Sequence, residues 1–143
     1  MASAAAFDGY IYADGASRGN PGAAAAAAIL LDGEGNELGR SQIYLGTDTN
    51  NAAEYQGLRL GLLLADQLSL RRVACRLDSE LVVKQMRGEY RVRNPRLRAI
   101  AQTVRKLCAR FEQVEFVHVR RAGNAVADGL ANAAIDAFQA EEA

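Results

Sequence analysis

The segment from Tyr12 to Gly22, YADGASRGNPG, restricts the possible folds more than any other part of this sequence. It overlaps the end of residues 7–14, an aromatic and β-branched run that is typical of a strand. It lacks the Gly-Lys-Ser/Thr ending of a P-loop and the glycine spacing of a dinucleotide-binding turn. An acid, Asp14, stands where the apolar run ends and the glycines begin. The segment therefore predicts a strand and a glycine-rich turn, and it excludes two common nucleotide-binding folds.

The rest of the chain alternates between strand and helix patterns. The alanine-rich run 23–31 is ambiguous, because alanine favours helices but this run follows a turn and precedes Ile-Leu-Leu. The other predicted strands are 37–45, 72–77 and 113–119, and the predicted helices are 51–68, 81–87, 95–111 and 125–138. This order predicts an α/β fold in which a mixed sheet carries helices on its faces.

The length of 143 residues suits one domain, 1–143, with a core of its own. We expect fraying at residues 1–6 and 139–143, because chain ends are rarely held. No apolar run reaches the ~18 residues of a membrane span, and the N-terminus lacks the pattern of a secretory signal. Cys75 and Cys108 lie in apolar patterns without CxxC spacing and are expected to be buried, reduced thiols. We therefore expect a cytoplasmic protein without a membrane partner.

The net charge of zero hides a strong asymmetry along the chain. Residues 71–121 contain 14 lysines and arginines against five acids, and the remainder contains three against 12. Six of these basic residues fall between Lys84 and Arg98, where Glu89 is the one acid. A charge run is usually a solvated face, but a one-signed half of a chain also suits a polyanionic partner such as nucleic acid.

Four acids lie at predicted element boundaries: Asp14, Glu54, Asp78 and Asp128. Each one alone has a structural explanation, as a turn residue, a capping-box residue, an N-cap or a partner of a helix dipole. Together the four acids suggest a shared site, because strand ends and helix starts meet in one crevice of an α/β sheet. Crowded carboxylates repel one another, and divalent cations such as Mg²⁺ remove that cost. Two such ions could clamp the attacking water and the leaving oxygen of a phosphodiester.

Four motifs that contain these acids resemble the type 1 ribonuclease H family. They are DGASRGNPG at 14–22, TNNAAEYQGL at 49–58, LDSELVVKQ at 77–85 and GNAVADGLANAAID at 123–136. They occur in the order typical of the family and extend over almost the whole chain. The segment GEYRVRNPRL at 88–97 is similar to a compact subgroup found in archaea, plants and some bacterial fusion proteins. The resemblance implies a five-stranded mixed sheet of order 3-2-1-4-5, and it implies that 23–31 is a strand.

The resemblance also implies an endonuclease that hydrolyses the RNA strand of RNA/DNA hybrids, leaving 5′-phosphate and 3′-hydroxyl ends. By that resemblance the catalytic, metal-binding residues are Asp14, Glu54, Asp78 and Asp128. They would hold two Mg²⁺ ions with substrate bound, and Mn²⁺ could substitute. The implied substrate-binding residues, together with those that we expect from the basic run, are Gly15, Asn20, Thr49, Asn50, Asn51, Glu80, Lys84, Arg91, Arg93 and Arg121. We expect a monomer that needs no protein partner.

The chain departs from the family pattern in three ways. Glu80 stands where many members have glutamine, and the short segment 88–98 leaves no room for a basic protrusion. The only histidine, His118, lies in a predicted strand and not in a loop before the last helix, so we expect it to be packed or partly buried. Arg120 and Arg121 would then be the groups on the leaving-group side. Two alternatives stay open: a related nuclease that also cuts double-stranded RNA, and a non-catalytic hybrid-binding module.

Overall fold

The structure is a computed structural model that describes residues 7–142, so our expectations for residues 1–6 and 143 fall outside the described residues. Within that range the chain alternates between strands and helices. The elements are β1 (Gly9–Gly19), β2 (Gly22–Leu31), β3 (Glu37–Asp48), α1 (Asn50–Gln67), β4 (Arg72–Leu77), α2 (Glu80–Met86), α3 (Pro95–Cys108), β5 (Gln113–His118) and α4 (Ala125–Glu142). A short 3₁₀ turn, Arg121–Asn124, precedes α4.

The strands form one mixed sheet of order β3-β2-β1-β4-β5. The pairs β1–β2 and β2–β3 are antiparallel, whereas β1–β4 and β4–β5 are parallel. Helix α1 packs against one face of β1 and β2, and α4 packs against the opposite face. The α/β class and the sheet order implied by the resemblance are therefore confirmed.

Strand β1 does not end at Asp14, as the sequence suggested, but continues to Gly19. It pairs with β2 along this whole length, with Asp14 opposite Ala27 and Gly19 opposite Gly22. The glycine-rich segment is thus mostly a hairpin arm, and the connection between the strands is the cis peptide Asn20–Pro21. The prediction was wrong because local glycines indicate a turn, whereas long-range pairing with β2 keeps the backbone extended. Asp14 is consequently held at the middle of a paired strand.

Strand β2 contains the alanine run, and it is covered on both faces. Residues Ala24–Ala28 have no accessible surface. Ala28 packs in the core under α1, whereas Ala25 and Ala27 pack against Ala131 and Ile135 of α4. Small side chains let both helices approach the sheet closely, so burial on two faces overrides the helix propensity of alanine. The strand implied by the resemblance is confirmed.

Several boundaries differ from those predicted. Strand β3 extends to Asp48, because its pairing with β2 continues to that residue. Helix α3 ends at Cys108, although Phe111 beyond it still packs in the core. Helix α4 continues to Glu142, four residues past its expected end. Both cysteines are free, as expected, but only Cys75 is buried; Cys108 is partly exposed because it lies at the end of α3. Among residues 7–142, no helix is both long and apolar enough to cross a membrane.

Candidate metal-binding active site

Three of the four predicted acids form one compact cluster. Carboxylate oxygens of Asp14, Glu54 and Asp78 all lie within 4.8 Å of one another. They come from three elements: Asp14 from the middle of β1, Glu54 from the second turn of α1, and Asp78 from the residue after β4. The cluster exists because β1 and β4 are parallel neighbours whose pairing ends at Ala13 and Leu77, directly before the two aspartates.

Glu54 reaches this cluster because α1 contacts β1 through glycine. A Cβ atom on Gly15 would lie 2.2 Å from the carbonyl carbon of Ala53, and one on Gly57 would lie 2.5 Å from the carbonyl oxygen of Asp14. Real Cβ atoms do not approach backbone atoms so closely, so both positions exclude any larger residue. The structure gives Gly15 a role in packing, and its predicted contact with substrate stays a prediction. Gly57 was not predicted, although its motif position in TNNAAEYQGL could have drawn attention to it.

Asp128 and Arg121 face the same cleft as the three clustered acids. The cleft has a volume of about 430 Å³, and the residues around it are Asp14, Gly15, Ala16, Ser17, Asn50, Glu54, Asp78, Ser79, Arg121 and Asp128. Asp128 lies in the first turn of α4, outside the compact cluster. Its side chain nevertheless contributes to raising the pKa of Asp14. The cleft thus gathers all four predicted carboxylates and one guanidinium group.

Burial and mutual repulsion raise the pKa values of Asp14 and Glu54 in the metal-free protein. Burial, and after it the charge of Asp78, raises the pKa of Asp14 to about 7. Burial, and after it the charge of Asp14, raises the pKa of Glu54 to about 9. The positive charge of Arg121 partly opposes this rise at Glu54. The cluster therefore holds less negative charge near neutral pH than three separate carboxylates would, and a cation would lower the cost of ionising it.

The structural explanations for two of these acids do not apply. The N-cap of α1 is Thr49, whose side chain accepts a hydrogen bond from the backbone N–H of Ala52, so Glu54 is not needed as a capping-box residue. The N-cap of α2 is Ser79, whose side chain accepts from the N–H of Val82, so Asp78 is not the cap. These carboxylates therefore face the cleft without a local capping role. An all-oxygen donor set of this kind suits a hard divalent cation such as Mg²⁺.

A second cleft contains four of the predicted substrate-binding residues. It has a volume of about 500 Å³, and the residues around it are Asn20, Thr49, Asn50, Asn51, Asn94, Arg96 and Leu97. Asn50 faces both clefts, so the second one continues from the acidic one. Asn94 was not predicted, although the Asn-Pro pair at a helix start marks this position, and Arg96 was considered only as a member of the basic run from Lys84 to Arg98. Asn94 caps α3.

Arg96 is held in this second cleft by an ion pair. Its guanidinium donates to both carboxylate oxygens of Asp48, at 2.8 and 2.7 Å. The pair lowers the pKa of Asp48. Because Asp48 also accepts from the N–H of Thr49, the pair joins the start of α3 to the start of α1. The second cleft is therefore a polar surface fixed between two helix N-termini.

The residues of the basic run that we predicted to contact substrate, Lys84, Arg91 and Arg93, lie outside both clefts. Lys84 lies over the Tyr90 ring, with Nζ 5.0 Å from its centroid, and 3.9 Å from a carboxylate oxygen of Glu80. Arg91 and Arg93 are exposed on the loop between α2 and α3. Arg91 borders a hollow that also contains Arg98 and Arg105. None of these residues borders the acidic cleft, so they form a basic surface outside it.

His118 is exposed, and the expectation that it would be packed or partly buried is wrong. It is the last residue of β5, the strand at the edge of the sheet. Val114 and Phe116 alternate with it on the same side and do pack against the core. The residues that border the acidic cleft do not include His118, whereas they do include Arg121. Burial is thus not the reason why His118 does not border the acidic cleft.

Comparison with known proteins agrees with this geometry. A family model described as reverse transcriptase-like matches residues 12–134. The bifunctional protein Rv2228c of Mycobacterium tuberculosis is 41% identical over 128 residues, which are 89% of this chain and 35% of that protein. Ribonuclease HI of Halobacterium salinarum is 40% identical over 127 residues, which are 89% of this chain and 64% of that protein. The chain thus spans between about one third and two thirds of the length of these curated relatives.

Solved structures give the same picture in three dimensions. The N-terminal RNase H domain of Rv2228c has a TM-score of 0.91 and 39% identity, over 96% of this chain and all of that domain structure. RNase H1 of Halobacterium salinarum has a TM-score of 0.87 and 40% identity, over 90% of this chain and 97% of its own. LC11-RNase H1 in complex with an RNA/DNA hybrid has a TM-score of 0.85 and 39% identity, over 92% and 99% of the two chains.

Proposed function

This chain belongs to the type 1 ribonuclease H family, and from that premise we propose that it is a metal-dependent endonuclease that hydrolyses the RNA strand of RNA/DNA hybrids. The observation that carries the proposal is the convergence of Asp14, Glu54 and Asp78 within 4.8 Å in an open cleft. A non-catalytic module is not favoured, because loss of an acid is the simplest route to one and all four acids are present. A structure of a relative with bound hybrid supports the substrate class.

In this proposal Asp14, Glu54, Asp78 and Asp128 hold the divalent cations, for which Mg²⁺ is the natural candidate and Mn²⁺ a substitute. Such ions, when bound, would stabilise negative charge that develops at the reacting phosphate. The protein holds these carboxylates in place: Asp14 lies within a paired strand, and the close contact at Gly15 fixes the helix that carries Glu54. Arg121 can hold a phosphate oxygen but cannot transfer a proton near neutral pH.

Substrate binding is assigned to the second cleft and the basic surface. Asn20, Thr49, Asn50 and Asn51 are short polar groups that could follow a sugar-phosphate backbone. Recognition of RNA by its 2′-hydroxyls in a wide, shallow minor groove needs such close approach. Gly15 borders the acidic cleft directly, and Glu80, Lys84, Arg91 and Arg93 would act farther out.

A strand-specific cleavage assay tests the proposal. The protein is incubated with Mg²⁺ and three end-labelled duplexes: RNA/DNA hybrid, double-stranded RNA and double-stranded DNA. We expect cleavage of the hybrid, in its RNA strand only, with 5′-phosphate ends on the products. Cleavage of double-stranded RNA as well as the hybrid would support the related nuclease that cuts both substrates. Binding without cleavage would support the non-catalytic module. The monomeric state and the cytoplasmic location stay predictions.

Charge reversal on the basic surface is expected to weaken hybrid binding in a salt-dependent way. In the Arg91→Glu/Arg93→Glu double variant, two contacts to phosphate would be lost. The slope of log affinity against log salt concentration should then become shallower by about two. Turnover at saturating hybrid should change little, because neither residue borders the acidic cleft.

The matched control for the double variant is Arg71→Glu. Arg71 precedes β4, whereas the acidic cleft lies beyond the other end of that strand. Hybrid affinity measured by fluorescence anisotropy at several salt concentrations gives both slopes. An equal loss of affinity at every salt concentration would indicate structural damage and contradict the phosphate assignment.

Alanine substitutions on the leaving-group side should separate Arg121 from His118. Arg121→Ala is expected to lower turnover by more than tenfold, because it removes the guanidinium group from the cleft. His118→Ala should cost less than tenfold, or under about 1.4 kcal/mol of transition-state stabilisation. Arg120→Ala is the matched control, since Arg120 is an exposed neighbour with the same charge that does not border the cleft. A hundredfold loss in a folded His118→Ala protein would overturn this assignment.

A further inference from the structure

Asn124 is a buried polar residue whose side-chain N–H group has a hydrogen-bond partner and whose side-chain oxygen has none within residues 7–142. It is 1% exposed and is the last residue of the 3₁₀ turn, directly before α4. Its Nδ2 donates a hydrogen bond of 2.7 Å to the carbonyl oxygen of Ala13. Its Oδ1 is buried, and no group among the described residues donates to it. An unpaired buried acceptor is destabilising, so packing alone would favour an apolar residue at this position.

The acceptor of this hydrogen bond lies next to the acidic cluster. Ala13 is opposite Leu77 in the last pair between β1 and β4, so its carbonyl lies where that strand pairing ends. The carbonyl of Ala13 and the N–H of Asp14 belong to the same planar peptide group. The Asn124 amide therefore fixes the peptide plane from which Asp14 projects.

The donor side of the hydrogen bond is equally close to the cleft. Asn124 follows Arg121 by three residues and precedes Asp128 by four, and both of those residues border the acidic cleft. One hydrogen bond thus connects the backbone at Asp14 to the short segment that carries Arg121 and Asp128.

The other contacts of α4 do not provide this connection. Near its middle, α4 packs through Ala131, Ala134 and Ile135 against the alanines of β2. Such apolar contacts are non-directional, so they hold the helix against the sheet but fix its position along the sheet only weakly. Farther along, Arg18 pairs with Asp136 at 2.7 Å, and it donates to the carbonyl and side-chain oxygens of Asn132, one helical turn beyond Asp128, at 3.4 and 3.5 Å. These contacts join α4 to the end of β1, whereas the one from Asn124 reaches the backbone beside Asp14 itself.

We propose that Asn124 is a positioning residue that sets the place of Asp128 and Arg121 relative to Asp14, so that the four carboxylates can bind divalent cations together. This inference rests on the proposed nuclease function. It assigns to Asn124 no contact with substrate or cation.

Two substitutions of Asn124 separate hydrogen bonding from the filling of space. Asn124→Ala removes the amide and leaves a cavity, whereas Asn124→Leu keeps the branched shape of the side chain, with larger terminal groups and without a donor. In both variants we expect turnover at saturating hybrid to fall about tenfold or more, with KM for the hybrid little changed. Calorimetric titration of the hybrid-free protein with Mg²⁺ should show affinity weakened about tenfold. Restoration of turnover and Mg²⁺ affinity by leucine would mean that Asn124 only fills space, and would overturn the inference.

The matched control is Ile135→Ala, which also loosens α4 at a fully buried residue. Its contacts are with the alanine cluster and not with the backbone beside Asp14. All measurements are made below the melting temperature of every variant. We expect Ile135→Ala to lose stability but to keep turnover and Mg²⁺ affinity near those of the wild type. Equal losses in Ile135→Ala and the Asn124 variants would overturn the inference. If the wild type cleaves no hybrid, the proposed function fails, and the Mg²⁺ titrations still decide whether Asn124 positions the acids.

Discussion

Asp78→Asn is expected to abolish hybrid cleavage while the protein stays folded. The substitution removes one charge from the acidic cluster and hardly changes the size of the side chain. Turnover should fall about a thousandfold or more, which corresponds to about 4 kcal/mol of lost transition-state stabilisation. The measurement is a single-turnover cleavage assay in Mg²⁺. Near wild-type cleavage by this variant would show that the metal assignment is wrong.

The same variant should be more stable than the wild type when no metal is present. Asp14 and Glu54 have folded-state pKa values of about 7 and about 9, above their ordinary values of 3.8 and 4.5. A carboxyl group with a raised folded-state pKa makes folding less favourable as the pH rises from the unfolded value through the folded one. Metal-free wild type should therefore lose stability between about pH 4 and pH 9.

The charge of Asp78 is one cause of both raised pKa values, so its removal should weaken this pH dependence. Thermal melts in a chelator should place the Asp78→Asn protein above the wild type at pH 8, with a smaller difference at pH 5. Added Mg²⁺ should stabilise the wild type more than the variant, because a ligand stabilises the state that binds it. Asp66→Asn is the control: Asp66 lies 12 residues beyond Glu54 on α1, about 18 Å along the helix, and because it pairs with Arg110 this variant should not gain stability.

Gly15→Ala is expected to damage both the fold and the site. The new Cβ would lie 2.2 Å from the carbonyl carbon of Ala53 and 2.3 Å from the amide nitrogen of Glu54. Both atoms belong to the helix backbone and cannot rotate away, so α1 must move off the sheet. Overpacking of this kind costs about 3 kcal/mol, and it should lower the melting temperature by roughly 10 °C. Because Glu54 moves with the helix, turnover should also fall.

Gly33→Ala provides the matched comparison for this substitution. Gly33 lies in the turn between β2 and β3, and a Cβ there would have no neighbour within 4 Å. Its melting temperature and turnover should remain close to those of the wild type. If Gly15→Ala melts within 2–3 °C of the wild type, about 1 kcal/mol at this size, then α1 can tolerate a side chain at the contact.

The four acids could be singled out from the sequence because each lies in a short motif, and the sheet order was implied by the family resemblance that those motifs carry. Each acid is flanked by its own recognisable neighbours, as Glu54 is in TNNAAEYQGL. The course of β1 beyond Asp14 was not predictable in this way. Its extended backbone depends on residues of β2, and local glycines gave the opposite indication.

Other features of the site depend on contacts between distant parts of the chain. The hydrogen bond from Asn124 to Ala13 joins residues 111 positions apart. The ion pair between Asp48 and Arg96 joins residues 48 positions apart. No local pattern indicates either partner. The exposure of His118 likewise depends on the position of β5 at the edge of the sheet, which the alternation of its residues does not show.

The alanines of β2 have a geometric consequence for catalysis. Helix α1, which carries Glu54, and helix α4, which carries Asp128, lie on opposite faces of this strand. Their separation is therefore the thickness of one strand with a methyl group on each face, the thinnest spacer that a side chain with a Cβ can make. Valine in place of one of these alanines would push one helix outward and widen the gap between Glu54 and Asp128, the two carboxylates that we propose hold the same ions. The alanine run therefore sets the distance between the two helices, and with it the width of the acidic cleft, from inside the sheet.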